Sequence, residues 1–227
     1  MQLKALLGID LPIIQAPMAG VQGSALAVAV SNAGGLGSLP CAMLGSDALH
    51  NEIKAIQAQT NKPYNVNFFC HTQPEPDQTQ ELLWRALLAP YFKEYRIDAD
   101  AISAGPARRP FSLEILEILE VLKPPVVSFH FGLPSDELLA RVRGWGAKIL
   151  SSATTIEEAK WLESKGVDAV IAQGIEAGGH RGMFLSDDLN TQIGTFALVP
   201  QMVRAIKIPV IAAGGIAQRI QFQRDAF

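Results

Sequence analysis

The residues best suited to chemistry lie together in one stretch, Ala172-Gln173-Gly174-Ile175-Glu176-Ala177-Gly178-Gly179-His180-Arg181-Gly182. An imidazole, a carboxylate and a guanidinium stand there among four glycines. Glycines let backbone N–H groups approach a flat or anionic ligand with no Cβ in the way. A histidine just beyond them can take a proton from a bound molecule, because imidazole titrates near neutral pH. The plain alternative is a surface loop that turns tightly. The elements around the stretch have to decide between the two.

An apolar run at 167–171 precedes the stretch and reads as a short buried strand. Six more such runs occur, at 11–15, 36–39, 64–69, 126–129, 148–152 and 209–212. Helical patterns separate them, at 23–33, 46–60, 81–95, 112–122, 135–145, 155–165 and 194–206. Short continuous apolar strands alternating with helices predict a parallel sheet buried on both faces. A doubly wound sheet would carry G-x-G-x-x-G at its first turn, and Gly20-Val21-Gln22-Gly23 has the wrong spacing. The expected fold is therefore α/β, a (β/α)8 barrel. Only about seven βα units are counted, so the barrel reads as incomplete, with no eighth strand or C-terminal helical part. Residues 1–216 read as one barrel domain with an insertion at about 70–110. Residues 217–227 read as an aberrant polar tail, the end of a truncated or frameshifted product.

Composition limits the function classes. Hydrophobic residues make up 48% and charged residues 18%, which suits a large buried core. Net charge is −3 and no basic stripe interleaves with aromatics, so nucleic acid is not an expected partner. The two cysteines, Cys41 and Cys70, form no redox or metal motif and suit a reducing compartment. No apolar run reaches about 18 residues, and the N-terminus lacks a signal-peptide layout. The expectation is a soluble cytoplasmic protein with no membrane association.

In barrel enzymes the chemistry collects at the C-terminal ends of the strands. That rule selects Pro17, Met18 and Ala19 after the first strand, Asn67 on the third and His130 at the end of the fourth. It also selects Gln173, Gly178, Gly179 and His180 after the sixth, and Gly214 and Gly215 after the seventh. Each has a structural alternative: Met18 as core filler, the amides as partners of buried backbone, His130 as a hydrogen-bonded core histidine. For His50 and His71 the structural reading is preferred. No two His, Cys or carboxylate residues show metal-ligand spacing, and no serine has a G-x-S-x-G setting. Amides near a glycine turn that can bind phosphate suit a flavin mononucleotide (FMN), with Pro17-Met18-Ala19 against its rings.

At these residues the sequence resembles the nitronate monooxygenase family, formerly 2-nitropropane dioxygenases, and most the bacterial class I members. The matching segments are Gln15-Ala16-Pro17-Met18-Ala19-Gly20 through Asn32-Ala33-Gly34-Gly35-Leu36-Gly37-Ser38, then Asn65-Val66-Asn67-Phe68-Phe69 and Ser128-Phe129-His130-Phe131-Gly132. Gln173 to Gly182 and Ala212-Ala213-Gly214-Gly215-Ile216 complete the series. The resemblance implies an FMN enzyme that oxidises alkyl nitronates, such as propionate 3-nitronate, with O2 to a carbonyl compound plus nitrite or nitrate. By motif, it implies that Met18, Asn67, Gln173, Gly178 and Gly215 contact FMN. It also implies that His180 is the catalytic histidine and His130 a second active-site histidine. Family members continue beyond the Gly-Gly-Ile motif, so half of the phosphate site and part of the substrate lid are expected to be missing. A flavin-dependent enoyl or quinone reductase of the same barrel group, and a non-catalytic fragment, are the competing readings.

Overall fold

Six apolar runs form strands that pair in parallel, each with the next in chain order. The structure is a computed structural model and describes residues 2–73, 75, 77–102 and 108–216. The strands are β1 (Gly37–Pro40), β2 (Tyr64–Phe69), β3 (Val126–His130), β4 (Lys148–Ala153), β5 (Ala169–Gln173) and β6 (Val210–Ala213). Their order, β1 to β6 without reversal, is that of a barrel wall. A doubly wound sheet would reverse direction at a switch point. The helices are α1 (Gln2–Leu7), α2 (Ser24–Asn32), α3 (Ser46–Gln59), α4 (Gln78–Glu94), α5 (Leu113–Leu122), α6 (Asp136–Gly144), α7 (Ile156–Ser164) and α8 (Thr195–Ala205). The chain divides into two compact units, one of residues 72–108 and one of the remainder. The smaller unit carries α4, which Asp77 caps by accepting from the Thr79 and Gln80 amides.

Side chains alternate across a strand, so the sheet of the larger unit has two distinct faces. On one face Leu39, Val66, Phe68, Val127, Phe129 and Ile149 pack against the helices, meeting Leu49, Ile53, Leu116, Leu119, Leu139, Leu162, Leu198 and Met202. On the other face Leu36, Val126, Leu150 and Ala169 form a separate cluster with Leu7 and Ile9. The second cluster is the floor of the barrel interior, and α1 with its following turn packs against it. Above that floor the same face becomes polar. Asn65 donates to Ser38 Oγ at 3.1 Å and to Ser128 Oγ at 2.9 Å, and Asn67 also donates to Ser128 Oγ at 2.9 Å. The fold is thus an incomplete (β/α)8 barrel, with an apolar floor and a polar upper interior.

The first expected strand, 11–15, is corrected. Only Ile14 pairs, in an isolated parallel bridge with Leu36. Pro12 lacks the N–H that a ladder needs, and Leu11 and Ile13 lie exposed. The count is therefore six strands and a bridge among the described residues. The expected tail, 217–227, lies outside the described residues. Gly37 shows how closely the layers pack: a Cβ there would lie 1.9 Å from the Ala27 carbonyl oxygen of α2.

Candidate active site

The register of β2 to β5 brings four polar or aromatic residues onto the inner face at the strand ends. Phe69 pairs with His130. Phe129 pairs with Ser151, so the residues that follow, His130 and Ser152, stand side by side. Gln173 ends β5 two residues beyond Ile171, the partner of Ser152. Two successive residues at positive φ follow β3: Phe131 has φ +66° and Gly132 φ +85°. A bulky residue at positive φ is uncommon and is held only by its surroundings.

These side chains hold the glycine-rich stretch. His130 Nε2 lies 3.0 Å from the His180 carbonyl oxygen, and Gln173 Nε2 donates to the same oxygen at 2.9 Å. Gln173 Oε1 accepts from the Gly182 amide at 2.7 Å. The Gln173 amide therefore braces the loop backbone at both ends. Gly182 is a glycine because the ring is so near: a Cβ would fall 2.5 Å from His130 Cε1. Arg181 turns back onto its own loop and donates to the carbonyls of Gly174 at 2.8 Å, Ile175 at 3.2 Å and Ala177 at 3.3 Å.

The pinned backbone leaves the exposed His180 ring standing against two phenylalanines. It lies 5.3 Å from the Phe69 ring and 6.0 Å from Phe131, at interplanar angles of 61° and 90°. His71 joins the same group, 6.1 Å from Phe69 and 6.0 Å from Phe131. His130 differs from His180 in setting. Burial holds its pKa down to about 4, against the weaker pull of the His180 carbonyl bond. A neutral ring whose Nε2 faces a carbonyl must carry its hydrogen there, so Nδ1 accepts from Ser152 Oγ at 2.7 Å. Both nitrogens of His130 are engaged in holding structure, whereas the His180 ring is exposed.

Carboxyl groups fix the remainder of the loop. Glu158 is 1% exposed and accepts five bonds. Thr154 N, Thr154 Oγ1 and Thr155 N bond one oxygen, and the amides of Phe184 and Leu185 bond the other. The Glu176 carboxylate serves a different element. It accepts from Thr195 N and Oγ1, both at 2.8 Å, at the start of α8, and those bonds hold its pKa below the usual carboxylate value.

The other expected ligand-binding residues lie on neighbouring loops at the same strand ends. Met18 is 48% exposed. Its loop is tied to β1 through Gln15 and Gln22, which both donate to the Ser38 carbonyl at 3.2 Å. Gly214 presses on Thr195, where a Cβ would lie 2.6 Å from Oγ1, and Gly215 is exposed with φ +66°. Two observations fit a flat ligand with a polar edge and an anionic tail. The buried Gln22 Oε1, on the Met18 loop, has no hydrogen-bond partner among the described residues, a costly state for an acceptor. Among the described residues, Gly178 and Gly179 have no atom within 4 Å of the place a Cβ would take, so their backbone is open on that side. Among the described residues no group of three or more His, Cys, Asp or Glu could hold a metal ion.

Phe69, Phe131, Ser152, Glu158 and Gly182 were not singled out by residue type, and His71 was read as structural. A signal existed for Phe69 and Ser152, since the two-residue period of the inner face (65, 67, 69 and 148, 150, 152) reaches them. For Phe131 the one signal was its place in the motif Ser128-Phe129-His130-Phe131-Gly132.

Comparison with known proteins identifies relatives of the chain. The family profile described as nitronate monooxygenase matches residues 1–223. The nitronate monooxygenase of Paraburkholderia phytofirmans is 47% identical over 222 residues, covering 94% of this chain and 59% of its own length. The solved nitroalkane oxidase from Streptomyces ansochromogenes superposes with a TM-score of 0.85 at 40% identity, over 100% of this chain and 64% of that one. FabK from Thermotoga maritima does so with a TM-score of 0.72 at 28% identity, over 99% and 57%. The chain thus spans about three-fifths of the length of these relatives. A family match over nearly the whole sequence, on a barrel whose strand ends gather the matching motifs, shows that the chain belongs to the nitronate monooxygenase family.

Proposed function

We propose that this chain is the cofactor-holding part of an oxidoreductase that converts alkyl nitronates, with O2, to a carbonyl compound plus nitrite or nitrate. The observation that carries the reading is the His180 loop: an exposed imidazole on two phenylalanine rings, its backbone pinned by His130 and Gln173. Residues 1–216 form the barrel domain in this reading, interrupted at about 70–110. The cofactor is a flavin, specifically FMN. Pro17, Met18 and Ala19 would lie along its rings, with Asn67 at its polar edge. Gly178, Gly179, Gly214 and Gly215 would offer backbone to its phosphate, while Gln173 supports it indirectly through the loop. Bound FMN would supply the two-electron redox chemistry.

The protein residues divide the remaining work. The His180 ring takes the α-carbon proton of a neutral nitroalkane, or stands beside the nitronate anion once formed. His130, neutral and tied at both nitrogens, keeps the His180 backbone in place. Phe69 and Phe131 give His180 an apolar support and keep water from one side of the ring.

Purified protein with FMN added tests the reading through oxygen uptake with propionate 3-nitronate, run beside NADH oxidation with a quinone. Nitronate-dependent uptake with a bound-flavin spectrum is the expected result. NADH–quinone turnover without it would favour the reductase reading. Colourless, inactive protein would favour the non-catalytic fragment.

A further inference from the structure

We propose that Ser152 is a positioning residue, which acts through the His130 ring to hold the backbone that presents His180. The proposal rests on the reading of His180 as the proton-transferring group. Ser152 is 6% exposed and reaches His130 Nδ1 at 2.7 Å, while Nε2 at the far side of the ring reaches the His180 carbonyl at 3.0 Å. A serine hydroxyl can donate or accept, but a carbonyl only accepts. The neutral ring can therefore serve both neighbours in one tautomer only, with hydrogen on Nε2 and Ser152 donating to Nδ1. The hydroxyl selects the tautomer whose hydrogen faces the loop. Without it the other tautomer is free to form, and that form turns a lone pair towards the carbonyl oxygen.

The loop has little room to absorb such a change. The Gly182 backbone lies so near the ring that a Cβ would meet Cε1 at 2.5 Å and Nδ1 at 2.9 Å. Gln173 binds both the His180 carbonyl and the Gly182 amide, so a shift at one is passed to the other. Ring tautomer and loop position are coupled.

The test compares Ser152→Ala and Ser152→Thr with the unaltered chain. Imidazole 15N shifts read the His130 tautomer, and the Arg181 and Gly182 amide resonances read the loop, neither requiring turnover. The expected result is the Nε2–H form in the unaltered chain and in Ser152→Thr. Ser152→Ala should give a mixture, with displaced loop resonances. Its kcat with nitroalkane should fall roughly 10–100-fold, as for other lost supports of a catalytic group, with KM little changed. The threonine variant should recover most of the rate. An Nδ1–H ring in the unaltered chain would overturn the proposal, and so would an unchanged tautomer and loop in Ser152→Ala. If the tautomer and loop shift as expected but no form turns over a nitronate or nitroalkane, the positioning role stands and the nitronate reading fails.

Discussion

Acid should weaken this fold through His130, by an amount the structure sets. The ring is enclosed between Ser152 Oγ and the His180 carbonyl, and burial lowers its pKa from the ordinary 6.5 to about 4. The nearby charges of His180 and Arg181 push the same way, and Glu158 pushes back. Between these two values the unfolded chain holds a proton that the folded chain refuses, so stability rises with pH there. The contribution is fully present above about pH 6.5, falls as pH drops, and levels off below about pH 4. At ~1.4 kcal/mol for each pH unit, the window is worth about 3 kcal/mol. Urea unfolding of the unaltered chain and of His130→Gln, at steps from about pH 7 to pH 4, isolates it, because the other titrating groups contribute to both. The unaltered chain should lose about 3 kcal/mol more than the variant across the window. Parallel stability curves, or an imidazole that titrates near 6.5 in the folded protein, would refute the enclosed neutral ring.

Other predictions concern the loop and its supports. Gly182→Ala should drive a methyl into the His130 ring and cost about 1–3 kcal/mol in urea unfolding, as overpacking does; a cost below about 0.5 kcal/mol would mean that the ring moves freely. Glu158→Gln should turn an amide NH2 towards backbone donors and cost about 3 kcal/mol, with faster hydrogen exchange at the Phe184 and Leu185 amides; unchanged exchange would count against Glu158 as their anchor. His180→Asn should reduce turnover of neutral nitroalkanes well beyond that of preformed nitronates; equal loss on both, measured by oxygen uptake, would exclude the role of base.

The central strands were legible because burial on both faces leaves a continuous apolar run, as at Val126-Val127 and Ile149-Leu150. The first strand misled for a related reason. Leu11 and Ile13 look like such a run, yet Pro12 between them denies the ladder a donor, and only Ile14 pairs. The six residues of α1 are too few to show helical periodicity, although Leu7 closes the apolar floor. The strand-end rule selected His130, Gln173 and His180, which the structure brings together, and their mutual bonds follow from the register of β3 to β5. The contacts of His71 with Phe69 and Phe131 were not legible, because a histidine before a proline-rich segment carries no sign of the rings beside it.

Glu158 marks the limit most clearly. Thr155 and Glu158 have the spacing of a capping box, and the box forms at the start of α7. That local pattern explains one carboxyl oxygen. The other binds the Phe184 and Leu185 amides, more than twenty residues away in the chain, and so joins a helix cap to the loop that follows His180. Glu176 shows the converse: four residues from His180 in sequence, its carboxyl is committed to Thr195 and α8. Nearness along the chain is therefore no guide to which carboxylate holds the loop after His180; across the barrel it is Glu158. Local spacing thus reveals a bond when both ends lie within a helical turn. Contacts that position the chemistry cross between βα units, and they become readable only when the strand register is known.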